Sequence, residues 1–260
     1  MYHNGAVVYV HITDPHLAVE EDWGAFQWAL DQAATFNPAV VVITGDIARE
    51  VGSLPLYRRV REFLDRSGLE TLVLPGNHDD RSLFEEAFGR RYRRDARWPR
   101  LDRLVDAGGQ EMILVDTADG ALHPDTIAWF DALLESFAGG TRVGTHRRDL
   151  PVWIHHPVLT GVSTWMEHNY PLGNADALVD VCQRYRQELT IHLFCGHYHT
   201  DSILQRENII QYCTPSLWKQ IDPRGEALRF LPEKEFGFRM VSHSDDSINT
   251  VVITPSSGVS

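Results

Sequence analysis

The chain reads as an α/β protein built from stacked layers, on three observations. Short apolar runs rich in Val, Ile and Leu recur along it; between the earlier ones lie stretches with apolar residues at three-to-four spacing; the later runs follow one another with no such stretch between them. Alternation of this kind argues for helices layered on sheets.

The first expected strand is Val7 to Ile12, followed by a helix over Trp23 to Phe36 that Asn37-Pro38 stops, because proline lacks the N–H and disfavours helical backbone in the residue before it. Residues 39 to 44 and 71 to 74 are expected strands, with helices over Leu54 to Ser67 and Arg81 to Phe88. Strands over 111 to 115, 152 to 154 and 191 to 195 alternate with helices over Thr126 to Phe137 and Asn174 to Gln187. Ile203 to Gln205, Ile209 to Thr214, Phe236 to Ser242 and Thr250 to Ile253 lack intervening helices and are expected to run antiparallel.

At 260 residues the chain has length for one sizeable α/β domain and little more. A single domain over residues 1–253 is expected, with irregular loops at about 157–173 and 216–235 overhanging the strand ends, and a Ser- and Gly-rich tail, 254–260, left to fray. No apolar run approaches the ~20 residues that span a bilayer. Met1-Tyr2-His3-Asn4-Gly5 carries no basic segment of a leader. The expectation is a cytoplasmic protein with no membrane partner. Cys182, Cys195 and Cys213 are odd in number and far apart, and read as core filler. A net charge of −12 disfavours long nucleic acid as a partner, since gripping a phosphate backbone takes a basic face. The exception is a run of arginines, Arg90, Arg91, Arg93, Arg94, Arg97, Arg100 and Arg103. It reads as a solvated face or as a contact to substrate phosphate, an acidic subunit surface or RNA.

Five short blocks carry chemistry: Asp14-Pro15-His16, Gly45-Asp46, Gly76-Asn77-His78-Asp79, His155-His156 and Gly196-His197-Tyr198-His199. They follow apolar runs, so a shared rim of strand ends can converge them. As a purely structural cluster these side chains would be buried with charges unpaired, which is costly. Two divalent cations roughly 3.5 to 4 Å apart explain them instead: such a pair polarises a phosphoryl oxygen, holds a bridging hydroxide and steadies both ends of an in-line displacement. One ligand must touch both ions, and Asp46 is the natural candidate. In an extended segment Asp14 and His16 point to one side, as do His197 and His199. Strand alternation lets only one of His155 and His156 face the metals. Imidazoles suit iron, zinc, nickel and copper, and carboxylate and amide oxygens widen the choice to manganese, so spacing alone does not name the metal; manganese or iron is the favoured expectation, with zinc or cobalt as further candidates.

These blocks resemble those of the calcineurin-like metallophosphoesterase superfamily, whose order is D-x-H, G-D, G-N-H-D or G-N-H-E, H, and G-H-x-H. The resemblance runs from residue 7 to about 215. It implies a four-layer α/β/β/α sandwich, two mixed sheets flanked by helices. It also implies one metal on Asp14, His16, Asp46 and His199, and a second on Asp46, Asn77, His155 and His197. His78 then lies beside the phosphate, steadies transition-state charge and protonates the leaving oxygen, with Asp79 placed to orient it. Family members that pair through their sandwich edges suggest a homodimer.

The segments Gly76 to Arg81, His155-His156-Pro157, Pro171 to Asn174 and Cys213 to Ser216 look like the bacterial class III cyclic-nucleotide phosphodiesterases and related glycerophosphodiesterases. That branch implies a small phosphodiester substrate, 3',5'-cyclic AMP foremost, with glycerophosphodiesters and phosphomonoesters as alternatives and a non-catalytic scaffold as a more remote one. Asn77 and His78 are expected to touch it. Asn174 could donate to a phosphate oxygen or cap the helix it opens. Trp165, Tyr170 and Trp218 could stack on a base or pack the loops. Arg81 is the basic residue beside a motif that could favour a monoester.

Overall fold

The computed structural model describes residues 6–88, 101–139, 148–244 and 247–257. The N-terminal part runs β1 (Val7–Ile12), α1 (Glu20–Thr35), β2 (Val40–Thr44), α2 (Leu54–Ser67), β3 (Thr71–Leu74) and α3 (Arg81–Phe88). Next come β4 (Arg103–Ala107), β5 (Gln110–Val115), α4 (Pro124–Gly139), β6 (Arg148–Ile154), α5 (Thr164–Asn169), α6 (Ala175–Arg184) and β7 (Leu189–Cys195). The chain continues through β8 (Ser202–Arg206), β9 (Ile209–Cys213), β10 (Gln220–Ile221), β11 (Phe230–Leu231), β12 (Phe238–Ser244) and β13 (Ser247–Ile253). α2 shows how local sequence sets an element: the Ser53 hydroxyl accepts the Leu56 N–H at its start, and Gly68 ends it with φ at 69°, a conformation that costs glycine nothing.

Two mixed sheets form, in the orders β13-β12-β1-β2-β3 and β4-β5-β6-β7-β9-β8. Tyr9 meets Trp153 edge-on at 6.2 Å, Trp153 stacks on Phe194 at 4.4 Å, and Phe194 on Tyr212 at 4.9 Å, which joins the sheets through aromatic rings. Strand alternation sends the neighbours of those rings the other way. Val152, Ile154, Leu193 and Cys195 share a second core with Phe130 and Leu134 of α4 and Leu178 of α6. On the outer side of the first sheet, Phe26, Leu30, Tyr57 and Phe84 pack with Val40 to Ile43. β2 is buried along its whole length, as a central parallel strand covered on both faces should be. The layers are therefore helix, sheet, sheet, helix.

Four elements were not anticipated. β4 has a mixed Arg-Leu-Val-Asp-Ala sequence, α5 is barely longer than a turn, and β10 and β11 are two-residue pairings. None is long enough to show a period. The expectation that the C-terminal runs are antiparallel is corrected for β9, which pairs parallel to β7. β8 runs back along the outer edge, and a turn with Glu207 at φ 52° feeds β9 between β7 and β8. The hairpin does the work of a crossover helix. The tail is also more ordered than expected: Pro255–Ser257 form a 3-10 turn, and the Ser256 N–H donates to the Glu235 carboxylate at 3.3 Å. Residues 258–260 lie outside the described residues. So does the arginine run, apart from Arg103, which is buried in β4 and donates to the Val73 carbonyl. No helix among the described residues is long and apolar enough to cross a membrane.

Candidate metal centre

β1, β2 and β3 run parallel, as do β6 and β7, and all five motif blocks follow the C-terminal ends of these strands. Two glycines are fixed by close approach. A Cβ on Gly76 would collide with the Asp46 carboxylate, and one on Gly196 with Thr13 and the Asp14 carboxylate. The expectation of extended alternation at Asp14-x-His16 and His197-x-His199 is corrected. These residues lie just past their strands with φ of 50°, 43°, 64° and 47°, and Asp46 has 49°. The side chains share a side because the chain turns at each one. Left-handed backbone at non-glycine residues costs roughly 1 to 3 kcal/mol each and concentrates at functional sites.

Asp46 sits at the centre. Its Oδ2 lies 3.8 Å from His16 Nε2, 3.4 Å from His155 Nε2 and 3.9 Å from His78 Nε2. Its Oδ1 accepts the His78 N–H at 3.0 Å, which fixes the carboxylate. Asp14 Oδ1 lies 3.4 Å from His199 Nε2, while its Oδ2 accepts from Thr13 Oγ1 at 2.7 Å and the His197 N–H at 3.0 Å. Asn77 Oδ1 is 3.3 Å from His155 Nε2. Three buried donor groups result, each within 4.8 Å internally: Asp14, His16 and His199; Asp14, Asp46 and His155; His155, His156 and His197.

Four imidazoles are held in one tautomer by backbone carbonyls. His16 Nδ1 donates to Ala48 O at 3.2 Å, His155 Nδ1 to Thr44 O at 2.7 Å and His199 Nδ1 to Lys219 O at 2.8 Å. His197 does the reverse, donating from Nε2 to Tyr170 O at 3.2 Å. A ring nitrogen that donates outward leaves its partner free to accept, the arrangement metal-binding histidines use. His16 and His199 then face each other through Nε2 atoms only 3.0 Å apart. Two such lone pairs repel unless a cation lies between them, so the donor set fits a metal ion.

The charge balance agrees. Burial pulls His155 down, but Asp46 and then Asp14 override it and raise it to about 9. His199 is raised too, against burial, by Asp14. Burial lowers His16 and His197 to about 4, helped by the neighbouring His199 and His155 respectively. Burial opposes ionisation of Asp14 and Asp46, yet the imidazoles beside them hold both below the ordinary carboxylate range. Two buried carboxylates thus demand positive charge, which protons or divalent cations can provide.

The histidine pair behaves differently from expectation. β6 ends at Ile154 and the chain bends at His155 and His156, so strand alternation no longer applies. Both rings turn inward: His156 Nδ1 bonds Thr117 Oγ1 at 2.8 Å, and its ring centre lies 4.3 Å from that of His197.

Asp79 requires a correction as well. Its carboxylate accepts the N–H groups of Gly76 at 2.9 Å and of Ile47 and Ala48 at 3.1 Å each, plus the Tyr57 hydroxyl at 2.9 Å. Burial and the Asp46 charge raise it to about 6, against the pull of those N–H donors. It ties two motif loops together. His78 is instead oriented by the carbonyl of Glu50, 3.2 Å from its Nδ1.

A cavity of about 370 Å³ opens over the cluster, lined among others by Asn77, His78, Trp165, Tyr170 and Trp218. Asn174 is not in its wall: the side-chain amide donates to the Leu122 carbonyl at 3.0 Å and makes no cap bond to α6. Arg81 is bound bidentately to Asp116 and also to Asp119. Among the described residues, the arginine that does line the cavity is Arg49, which sequence reasoning missed. It stands three residues after Asp46, close in sequence but not inside a motif.

A four-layer sandwich with buried carboxylates and carbonyl-oriented imidazoles at its strand ends is the class that fold and site define. The chain belongs to the calcineurin-like phosphoesterase family, which its sequence matches over residues 7–201. It is 26% identical over 263 residues to a 3',5'-cyclic-nucleotide phosphodiesterase of Nostoc sp., covering 93% of this chain and 90% of that protein. It is 25% identical over 192 residues to a probable cyclic nucleotide phosphodiesterase of Fibrobacter succinogenes, covering 71% of this chain and 66% of that one. With the glycerophosphodiester phosphodiesterase GpdQ of Enterobacter lignolyticus it shares 29% over 183 residues, 65% of this chain and 59% of the other. The chain thus spans less than two thirds of the length of the last two relatives. Among solved structures, a dimetal phosphatase from Danio rerio has the same fold, with a TM-score of 0.67 at 14% identity over 96% of this chain and 99% of that one.

Proposed function

We propose that this protein is a binuclear metal-dependent phosphodiesterase acting on small phosphodiesters, 3',5'-cyclic AMP and related cyclic nucleotides first among them. The observation that carries the reading is the set of four histidines, each with one nitrogen on a backbone carbonyl; the other nitrogen of His16, His155 and His199 faces the Asp14 or Asp46 carboxylate, and His197 groups with His155 and His156. The named activities of the relatives support it. Two divalent cations would polarise the phosphoryl group and furnish hydroxide at neutral pH. Asp14, His16, Asp46 and His199 would hold one, and Asp46, Asn77, His155 and His197 the other. Mixed nitrogen and oxygen donors suit manganese or iron, with zinc or cobalt able to substitute.

His78 supplies the proton. Its Nδ1–H is held by Glu50 O, its Nε2 is near Asp46, and its side chain is 37% exposed, so it meets both substrate and water. Nε2 delivers a proton to the departing oxygen, as general acids within hydrogen-bond reach do. Asn77 Oδ1 faces His155 Nε2, which leaves its amide N–H groups to orient a phosphoryl oxygen. Trp165 and Tyr170, 5.6 Å apart between ring centres, wall the cavity and offer apolar faces to a base, with stacking worth ~1 to 3 kcal/mol.

The test is hydrolysis of 3',5'-cyclic AMP, bis-p-nitrophenyl phosphate and p-nitrophenyl phosphate by metal-stripped protein reloaded with manganese. Metal-dependent cleavage of the cyclic nucleotide is expected. Cleavage of the synthetic diester without the nucleotide would move the substrate to glycerophosphodiesters and other small diesters. Failure to cleave any of the three would overturn the reading.

A further inference from the structure

We propose that Arg49 sets the substrate preference of this cavity by selecting a dianionic phosphoryl group, so that the site cleaves phosphomonoesters as well as diesters. The inference rests on the phosphoesterase reading above and names a second substrate class for the same site.

Arg49 begins next to the cluster. The preceding residue, Ala48, receives the Nδ1–H of His16 on its carbonyl and gives its own N–H to Asp79. The side chain then enters the wall of the cavity that Asp46 and His78 also line. It is held there from two sides: Nη2 pairs with Asp22, and the guanidinium carbon lies 4.9 Å from the centre of the Trp218 ring. Asp22 is itself fixed by the N–H groups of Ala18 and Val19, at 2.8 Å each. Nε of Arg49 is buried and has no hydrogen-bond partner among the described residues. A planar cation so placed is organised before substrate arrives and retains donor capacity.

The position runs against the charge of the chain, which is −12 overall. Arg81, the other arginine close to a motif, is consumed by Asp116 and Asp119. What Arg49 can read follows from phosphate chemistry. Near neutral pH a monoester with a second pKa of about 6 carries close to two negative charges, and its terminal oxygens can all accept hydrogen bonds. In a diester one of those oxygens is alkylated and only one charge remains. A guanidinium fork gains most from the first case.

The added reaction is a monoester dianion plus water giving an alcohol and hydrogen phosphate. The bond from phosphorus to the ester oxygen breaks as one forms to the water oxygen. One water proton reaches the ester oxygen by way of His78 Nε2, and the other stays on the phosphate. Because diester cleavage itself yields a monoester dianion, Arg49 would hold that first product for a second turnover.

The test compares wild type with Arg49→Gln and Arg49→Lys, loaded with manganese, on p-nitrophenyl phosphate and bis-p-nitrophenyl phosphate. Wild type should cleave both, and the monoester-to-diester quotient of kcat/KM should fall about tenfold or more in Arg49→Gln. Arg49→Lys should fall between them, since it keeps the charge and loses the fork. Asp22 retains its two backbone donors in either variant, and melting temperatures report whether the fold is intact. In parallel, inorganic phosphate titrated into the loaded protein should quench the tryptophan fluorescence near Arg49, with binding about tenfold weaker in Arg49→Gln. A folded Arg49→Gln with quotient and phosphate binding unchanged would overturn the proposal, as would wild-type diester cleavage with no monoester turnover. If wild type cleaved neither ester while phosphate binding still depended on Arg49, the phosphoesterase reading would fall and anion selection by Arg49 would stand.

Discussion

His16 and His199 turn their Nε2 atoms toward each other at 3.0 Å although they lie on different sheets' loops, 183 positions apart in the sequence. Each ring has its Nδ1 committed to a carbonyl, Ala48 for one and Lys219 for the other. With both Nδ1 atoms donating outward, the contact requires positive charge at the facing nitrogens, which a proton or a divalent cation can supply. A divalent cation bound there is expected to contribute to folding stability. Stripping with a chelator should lower the melting temperature by about 10 °C, the shift that a few kcal/mol of linked binding gives a chain of this size. Manganese should restore it. A melting curve indifferent to chelator and metal would contradict the arrangement.

His78 is expected to behave as an acid and not as a ligand. It touches Asp46 through backbone and ring, but its side chain is far more exposed than those of the surrounding histidines. His78→Ala should keep its full metal content, measured by elemental analysis, and lose about 10² to 10³ in kcat on a substrate with a poor leaving group. A substrate that leaves as p-nitrophenolate needs less proton assistance and should suffer less. Loss of metal from the variant would make His78 a ligand.

Much of the fold was legible because its central strands carry continuous apolar runs. Val7 to Ile12, Thr71 to Leu74 and the helix Leu54 to Ser67 were read to the residue. The motif residues could be gathered from sequence because parallel strands place their ends on one side. What could not be read is local geometry made by distant partners. Asp79 stands next to His78 in sequence, yet its oxygens face Gly76, Ile47, Ala48 and Tyr57. Asn174 opens a helix, yet its amide is taken by Leu122. Arg49 reached the cavity through Asp22 and Trp218, neither of which any motif marks. The lack of a preceding helix predicts an antiparallel β9, whereas its pairing depends on where β8 runs.

The cysteines should be chemically silent. Cys182, Cys195 and Cys213 are all buried and free. Burial pushes the Cys182 thiol up to about 12, and burial with the adjacent Cys213 raises the Cys195 thiol well above its ordinary value. The thiolate is the reactive form. A colorimetric thiol reagent at pH 8 should label none of them within minutes in the folded, metal-loaded protein, and all three in denaturant. Rapid labelling without denaturant would mean that the core beneath Gly196 opens.

Asp79 should act through stability. In Asp79→Ala, three backbone N–H groups and the Tyr57 hydroxyl lose a buried acceptor, and each unsatisfied buried donor costs about 1 to 3 kcal/mol. The loops that present Asp46 and Asn77 are the ones it joins, so the variant should lose about 3 kcal/mol or more of unfolding free energy in urea and hold less metal. Tyr57→Phe removes a single donor to Asp79 and the acceptor for the Asp80 N–H. Its cost should be smaller, about 1 to 3 kcal/mol, with metal content retained. The two variants separate this role from one in acid catalysis. If Asp79→Ala kept its stability and its metals while kcat alone collapsed, the carboxylate would be serving His78 after all, and the Glu50 carbonyl would not be sufficient to hold that ring.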